Sequence, residues 1–242
     1  SGSGKSTLAS CINGLIPHSY AGEHQGTLIV DGVDAPNSGI FELSQHVGTV
    51  LQDPDGQFVG LTVGEDIAFS LENNCVPQQE MIDLTNQVAG MVGVQDHLEY
   101  APHELSGGQK QRVSLAGVMV NQVKILLFDE PLANLDPATG KQAIVLIDEI
   151  QKRTGCAVII IEHRVEDVLY RPVDRMIVMG DGRVQYDGDP DALLCSGLLQ
   201  EKGIREPLYV TALKYAGVQL TPDMYPSQLT KLTLSDAPKQ QV

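Results

Sequence analysis

The stretch that decides the fold is Ile125-Leu126-Leu127-Phe128-Asp129-Glu130. Its first four residues are apolar, which predicts a strand buried on both faces of a parallel sheet. A helix is predicted next over residues 137–153, and the apolar residues 157–161 predict a second buried strand. Strand, helix and strand in this order indicate an α/β fold with a mostly parallel core sheet.

Two adjacent carboxylates, Asp129 and Glu130, follow the first of these strands. In an open α/β sheet, ligands bind beyond the carboxyl ends of the strands. Burying charge there costs several kcal/mol unless the charge is paired or bound to a metal. We therefore assign Asp129 to the coordination of Mg²⁺ and Glu130 to the attacking water as its general base. On these two residues alone, a solvated turn is the alternative.

The chain opens with a glycine-rich segment, here called the phosphate loop: Ser1-Gly2-Ser3-Gly4-Lys5-Ser6-Thr7. Gly4, Lys5 and Ser6 match the last three positions of the pattern G-x-x-x-x-G-K-[ST], which binds nucleotide phosphates. In this pattern the backbone N–H groups and Lys5 hold the phosphates, and the Ser6 hydroxyl ligates Mg²⁺. All seven residues are therefore candidate contacts of a nucleotide's phosphates. A Gly/Ser linker is the alternative for this segment alone.

The charge of the chain excludes one class of partner. The sequence has 16 Lys and Arg against 31 Asp and Glu, a net charge of −15, and Lys5 is the only cationic side chain in residues 1–100. Non-specific nucleic-acid binding needs several Lys or Arg side chains to displace counterions from phosphates. We therefore expect no nucleic-acid partner.

Other patterns place the remaining elements. Asp31-Gly32 and Asp181-Gly182, each between apolar runs, predict two hairpins. Apolar residues at helical spacing over 63–93 predict helices. Five histidines show no ligand-like spacing and are expected on the surface: His18, His24, His46, His97 and His103.

The most specific motif is Leu105-Ser106-Gly107-Gly108-Gln109-Lys110-Gln111-Arg112. A serine followed by two glycines predicts a helix N-terminus with open N–H groups, which forms a second anion-binding element. Lys110 and Arg112 are expected on a solvated face of that helix. Taken alone, the string is also compatible with an ordinary loop that caps an amphipathic helix.

In this order, the motifs resemble those of the nucleotide-binding ATPase subunit of ABC transporters, and the resemblance covers residues 1–192. Residues 105–109 resemble the signature of that family. Gln52 resembles its Q-loop glutamine, residues 131–136 resemble its D-loop, and His163 resembles its switch histidine. Alone, Gln52 would be an exposed polar residue and His163 a structural histidine.

The resemblance implies a P-loop NTPase fold with a mostly parallel core sheet, an antiparallel β subdomain and an inserted α-helical subdomain at about residues 62–121. The ATP-binding domain is assigned to residues 1–195, and residues 196–242 are a linker or a C-terminal appendage. We expect the strand that feeds the phosphate loop, its first glycine and an adenine-stacking aromatic residue to precede Ser1. The chain is therefore predicted to be N-terminally truncated.

The resemblance also implies roles for individual residues. Gln52 would contribute to catalysis and to the Mg²⁺ site, His163 would contact the γ-phosphate, and Asp136 would belong to the nucleotide site. Ser106, Gly107, Gly108 and Gln109 would complete the ATP site of a second ABC ATPase domain, head to tail. ATP would then favour the closed pair, and hydrolysis would remove that preference.

Finer strings resemble the energy-coupling-factor importers, which take up vitamins and transition-metal ions. They lie at residues 52–58, 62–63, 66–69, 162–164 and 203–208. The last resembles the linker after the first ATPase of fused, two-ATPase versions. The implied partners are a transmembrane coupling subunit and a substrate-binding membrane subunit, with the protein peripheral on the cytoplasmic face of the cell membrane. A soluble ABC-type ATPase without a transporter is the alternative, and it would need basic extensions or long helical insertions.

Overall fold

The computed structural model describes residues 2–51, 54–133 and 135–234. These residues form two compact units. The first, here called the sheet unit, contains Ser6–Thr139 and Leu146–Ile161. The second, here called the C-terminal unit, contains residues 2–5, Gly140–Val145 and residues 162–234.

The sheet unit contains five strands and most of the helices. In chain order its elements are α1 (Lys5–Ile12), α2 (Leu15–His18), β1 (Ile29–Val30), β2 (Val33–Asp34), α3 (Ile40–Ser44), β3 (Val47–Val50), α4 (Val63–Asn73), α5 (Gln78–Val92), α6 (Gly107–Met119), β4 (Ile125–Asp129), α7 (Pro137–Thr154) and β5 (Ala157–Ile161). Lys5 of α1 and six residues of α7 belong to the C-terminal unit.

The core sheet is parallel, in the order β3-β4-β5. β4 lies in its centre, and Leu126, Leu127 and Phe128 are each at most 2% exposed. This confirms the first predicted strand. β5 is a strand as predicted, but its expected burial on both faces is wrong, since Ile159 is 36% exposed. The physical reason is that β5 lies at the edge of the sheet that the described residues form.

Both predicted hairpins are present. β1 and β2 pair antiparallel on either side of Asp31-Gly32. In the C-terminal unit, β6 (Met176–Gly180) and β7 (Arg183–Gly188) pair antiparallel on either side of Asp181-Gly182. The turn residues predict these hairpins because Asp and Gly tolerate the positive φ angles of a tight two-residue turn.

Three helices, α4, α5 and α6, pack against one another between β3 and β4 in the chain. Thr62 begins α4 with a capping box to Glu65, and Gly93 ends α5 in the left-handed conformation at φ 73°. The apolar stripes of the helices face inward, with Ile67, Val88 and Val113 at most 6% exposed. These helices form the inserted α-helical subdomain that the resemblance implies.

The expectation that Arg112 lies on a solvated face of α6 is wrong. Arg112 is half-buried, and its Nη1 donates a hydrogen bond of 2.7 Å to the carbonyl of Val92, the last residue of α5. The last carbonyls of a helix lack partners within the helix. Arg112 therefore binds the end of α5 instead of facing solvent.

The C-terminal unit has its own apolar cluster. Its helices are α8 (Val165–Val168), α9 (Pro190–Ser196), α10 (Leu198–Glu201) and α11 (Leu208–Tyr215). The buried members of the cluster are Val165, Leu169, Val178, Leu193, Leu194, Leu199, Val210 and Leu220. The last three lie beyond residue 195, so residues 199–220 contribute to the core of this unit. Within the described residues, no helix has the length and apolarity needed to cross a bilayer.

Candidate functional site

The phosphate loop leads directly into a helix. Gly2 and Gly4 have φ angles of 79° and 92°, a region that favours glycine, and α1 begins at Lys5. The Lys5 Nζ donates a hydrogen bond of 3.0 Å to Ser3 Oγ. Thr7 is exposed on the first turn of α1, and Ser1 lies outside the described residues. A glycine-rich loop thus runs directly into a helix start, as the sequence pattern predicts, and its role in holding phosphates stays a prediction.

Ser6 and Asp129, two of the three residues assigned to Mg²⁺, lie next to each other. The Ser6 hydroxyl donates to Asp129 Oδ1 at 3.2 Å, although 123 positions separate the two residues. Core packing explains this pairing, because Ala9 of α1 and Leu127 of β4 share one apolar cluster. Ser6 is exposed and Asp129 is half-buried, so both oxygens remain accessible.

The chemistry of this pair fits Mg²⁺. The ion takes oxygen ligands and is usually held by one or two carboxylates together with substrate phosphates. A hydroxyl and a carboxylate within hydrogen-bond distance supply such oxygens. Among the described residues, no group of three or more His, Cys, Asp or Glu side chains could hold a metal ion by itself.

Glu130 has an unusual backbone conformation. Its φ is 51°, in the left-handed region, which is uncommon for a residue with a side chain and costs roughly 1–3 kcal/mol. Its N–H donates to the carbonyl of Ile161 at 2.9 Å, and its own carbonyl accepts from Ala133 at 3.2 Å. The backbone of Glu130 is thus fixed at two points at the end of β4, and the residue is half-buried.

The switch-like residue His163 follows β5. Its side chain is 64% exposed, whereas the side chain of its neighbour Glu162 is 3% exposed. Glu162 Oε2 accepts the backbone N–H groups of His163 and Arg164 at 2.9 and 3.1 Å. The carboxylate of Glu162 therefore fixes the turn that carries His163, a role that the sequence analysis did not identify.

Gln52, the predicted Q-loop glutamine, lies outside the described residues, as does Asn134 of the D-loop. The chain on either side of Gln52 is held by Gln57. Its Oε1 accepts the N–H of Leu51 at 3.0 Å, and its Nε2 donates to the carbonyl of Thr49 at 3.3 Å. These bonds link Gln57 to the end of β3.

The signature residues form the start of α6, as predicted. Ser106 is its N-cap and makes a capping box with Gln109. Gln109 Oε1 accepts the Ser106 N–H at 2.8 Å, and Ser106 Oγ accepts the Gln109 N–H at 3.4 Å. Ser106 and Gly107 are exposed. A Cβ on Gly108 would lie 3.3 Å from the methyl group of Thr139, so the helix start packs closely there.

Asp136 is the N-cap of α7. Its Oδ1 accepts the N–H groups of Ala138 and Thr139 at 2.9 and 3.1 Å, and its Oδ2 accepts the Thr139 hydroxyl at 2.5 Å. The hydrogen bond from the Thr139 side chain is the main cause that lowers the pKa of Asp136. The carboxylate is thus engaged with its own helix, and its place in a nucleotide site stays a prediction.

Two residues next to the signature were missed or misplaced by the sequence analysis. Gln111 Nε2 donates to the carbonyl of Pro131 at 2.8 Å and so links α6 to the loop after β4. The surface assignment of His97 is wrong, because its Nδ1 is buried and its Nε2 lies 2.8 Å from Gln109 Nε2. No pattern of neighbouring residues predicts either contact, because each joins two residues that are more than ten positions apart in the sequence.

Two family models match this chain. The model described as ABC transporter matches residues 1–133. The model described as ATP-binding cassette cobalt transporter matches residues 196–242.

Curated relatives are similar over nearly the whole chain. A protein from Clostridium perfringens is 58% identical over 236 residues, which are 98% of this chain and 42% of the relative. One from Vibrio vulnificus is 56% identical over 98% of this chain and 41% of the relative. Both are provisionally named ABC transporter ATP-binding proteins. This chain thus spans about two fifths of the length of the curated relatives it matches.

A solved structure is similar in fold as well as in sequence. It is CbiO1 from Clostridium perfringens, described as part of the ABC transporter complex CbiONQ. The two chains are 32% identical with a TM-score of 0.74, over 88% of this chain and 84% of CbiO1.

Proposed function

Since this chain belongs to the ABC transporter family, we propose that it binds and hydrolyses ATP as the motor of a membrane importer. The observation that carries this proposal is the contact of 3.2 Å between Ser6 and Asp129. Two residues that the sequence assigns independently to Mg²⁺ lie side by side at the carboxyl end of β4. A purely structural role for the motifs does not require this meeting.

The proposed chemistry follows from the character of phosphoryl transfer, in which the protein mainly positions groups and stabilises charge. Lys5 and the N–H groups of the phosphate loop would bind the β- and γ-phosphates. Bound Mg²⁺, held by Ser6 and Asp129, would neutralise charge on the phosphate oxygens. Glu130 would accept a proton from the attacking water, and its fixed backbone suits this role because a general base must lie within hydrogen-bond distance of the water.

We propose that the ATP site is shared between two ATPase domains. The exposed Ser106 and Gly107 support this, because they present the N-terminus of a 13-residue helix to solvent. Such a helix start attracts phosphate through its unpaired N–H groups and its dipole. The signature of each domain would bind the ATP held by the phosphate loop of the other.

The importer is proposed to be of the energy-coupling-factor type, with a transition-metal ion or a vitamin as cargo. Two findings support this: the match of residues 196–242 to a cobalt-transporter model, and the similarity to CbiO1 of a CbiONQ complex. Under this proposal the chain associates with a transmembrane coupling subunit and a substrate-binding membrane subunit. It would lie peripherally on the cytoplasmic face of the membrane.

The variant Asp129→Asn tests the proposed role of Asp129 in Mg²⁺-dependent ATP hydrolysis. Even a residue that only hydrogen-bonds to a metal ligand typically costs about 10- to 100-fold in metal affinity or activity when it is removed. For Asp129→Asn we expect at least that increase in the Mg²⁺ concentration needed for half-maximal ATP turnover. Asp174→Asn, at an exposed position, is the matched control and should keep wild-type turnover. Equal Mg²⁺ dependence in both variants would refute the assignment of Asp129.

Attachment to a transporter needs a separate measurement. The tagged protein, purified from membranes in mild detergent, should bring with it membrane subunits whose reconstitution gives ATP-dependent uptake of a metal ion or vitamin. Recovery of active ATPase with no membrane subunit would favour a soluble ABC-type ATPase instead.

A further inference from the structure

A half-buried imidazole, that of His97, lies beside the signature. His97 ends a short 3₁₀ helix, Gln95–His97, in the sheet unit. Its Nε2 lies 2.8 Å from Nε2 of Gln109, and its buried Nδ1 has no hydrogen-bond partner in the described part of the chain. The imidazole of His97 therefore makes its polar contact with Gln109, a residue of the signature.

The hydrogen bonds of Gln109 indicate which nitrogen of His97 carries the proton. Gln109 Oε1 accepts the Ser106 N–H, so the NH₂ group of the amide faces the ring. An NH₂ group only donates, so Nε2 of His97 is the acceptor and the proton is assigned to Nδ1. Rotating the amide would place its NH₂ group against the Ser106 N–H. His97 thus holds the carboxamide in the orientation that caps α6.

The half of the capping box that His97 supports is the stronger one. Its length is 2.8 Å, against 3.4 Å for the half in which Ser106 Oγ accepts a bond. Backbone and side-chain N–H···O bonds are usually about 2.7–3.2 Å long. The weak half leaves the exposed Ser106 hydroxyl available to another partner, while the strong half fixes its backbone.

The segment that carries His97 is anchored on its other side. The N–H groups of Val63 and Gly64, at the start of α4, donate to the carbonyls of Tyr100 and Leu98 at 2.9 and 2.8 Å. The rings of His97 and Tyr100 pack edge to face, with centroids 5.2 Å apart. The segment after His97 is therefore tied to the start of α4, and the His97 ring contacts both Tyr100 and Gln109.

We propose that His97 is a positioning residue for the signature tip, defined as Ser106, Gly107 and Gly108. Through Gln109 it fixes the N-cap of α6, so that the tip is preformed for a phosphate group held by a second ATPase domain. The second half of this statement rests on the proposed function. Packing alone does not explain the imidazole, because a buried nitrogen without a partner is destabilising and an apolar ring would fill the same space.

The first test needs no nucleotide. It distinguishes the effect of the hydrogen-bond acceptor of His97 from the effect of its aromatic ring. His97→Phe keeps an aromatic ring and removes the acceptor, and His97→Gln restores an acceptor near the Nε2 position. His103→Phe, at an exposed position in the next 3₁₀ helix, is the matched control. We expect hydrogen exchange at the Ser106 amide to be about three- to tenfold faster in His97→Phe, as for the loss of one neutral hydrogen bond. His97→Gln should return near wild type, and His103→Phe should not change.

Equal exchange rates at Ser106 in all variants would overturn the inference. The wild-type protein gives an independent check if His97→Phe does not fold. Nitrogen NMR should show the neutral His97 ring with its proton on Nδ1, and a proton on Nε2 would overturn the inference as well.

The second test measures ATP-dependent association of the ATPase domains. His97→Phe should weaken it about three- to tenfold, with rescue by His97→Gln, and Ser106→Arg should impair it more. If Ser106→Arg impairs association but His97→Phe does not, His97 has no positioning role. If exchange at Ser106 changes but neither variant affects association, the shared ATP site of the proposed function is wrong.

Discussion

Buried and half-buried carboxylates in the two units differ in what they bind. In the C-terminal unit, Asp191 and Glu206 are 7% and 3% exposed. Asp191 Oδ1 accepts the Ser227 N–H at 2.6 Å, and Glu206 accepts bonds from Lys214 at 2.6 Å and Gln200 at 2.9 Å.

At the end of β4 in the sheet unit, the carboxylates are less enclosed. Asp129 is half-buried and accepts a hydroxyl bond of 3.2 Å from Ser6. Glu130 is half-buried, and its backbone is in the left-handed conformation. Charge and residue type alone do not distinguish these groups from Asp191 and Glu206, but burial and partners do.

The comparison indicates how to separate structural from chemical carboxylates in an acidic protein. A buried carboxylate needs several strong partners to offset its desolvation, and it then stabilises the fold around it. A carboxylate at a strand end that keeps free oxygens remains available to a metal ion or water. Mutations at the end of β4 should therefore change ATP turnover, whereas mutations around Asp191 and Glu206 should change the free energy of unfolding.

Glu130→Gln should have the largest effect on activity. Removing a general base typically costs about 10²- to 10⁴-fold, so we expect ATP turnover to fall by that factor while ATP-dependent dimerisation is retained. Thermal unfolding should barely change, because Glu130 is not a buried, paired group. Glu149→Gln, at an exposed position of α7, is the control. Near-wild-type turnover in Glu130→Gln would remove Glu130 from the role of base and weaken the comparison.

Lys214→Met should have the next largest effect, and on stability. It leaves Glu206 buried without its cation, which should lower the free energy of unfolding by roughly 2–3 kcal/mol, less than for a fully buried pair because Lys214 is 24% exposed on its side chain. For a chain of this size, the melting temperature should fall by roughly 5–10 °C.

Two further variants make this measurement specific. Lys202→Met removes the cation of a pair whose Glu201 side chain is 68% exposed, and it should change the free energy of unfolding by at most about 1 kcal/mol. Adding Glu206→Gln to Lys214→Met should restore much of the loss, since the buried group is then neutral. Equal melting temperatures for Lys214→Met and Lys202→Met would show that the burial of Glu206 does not matter.

The smallest effect is expected at Asp136, an exposed helix cap. Thr139→Val removes the hydroxyl that contributes most to lowering the pKa of Asp136, so the pKa should rise toward its ordinary value, while Thr139→Ser should keep it low. Carboxyl-carbon NMR titration measures this directly. No rise in Thr139→Val would mean that the Thr139 hydroxyl does not bind the carboxylate.

The pH dependence of stability has a defined sign here. A carboxyl group whose pKa is lower in the folded than in the unfolded state stabilises the fold above its unfolded pKa. That contribution is lost as the pH falls through the lower, folded pKa. The wild-type protein should therefore lose more stability than Asp136→Asn on acidification through this range.

Local patterns predicted much of the fold because the forces behind them act over a few residues. The apolar run 125–128 gave a central strand, Asp-Gly pairs gave both hairpins, and Ser106 gave the start of α6. Long-range environment was less predictable. β5 is more exposed than expected because of its edge position, and Arg112 binds the end of α5.

The sequence by itself determined the kinds of groups present: a glycine-rich loop with one lysine, two carboxylates after a strand, and a serine and two glycines at a helix start. Only the tertiary structure decided that Ser6 meets Asp129 across 123 positions and that His97 holds Gln109. The reason is physical. Strands, turns and caps depend on neighbouring residues, whereas these contacts depend on how helices pack against the sheet and against one another.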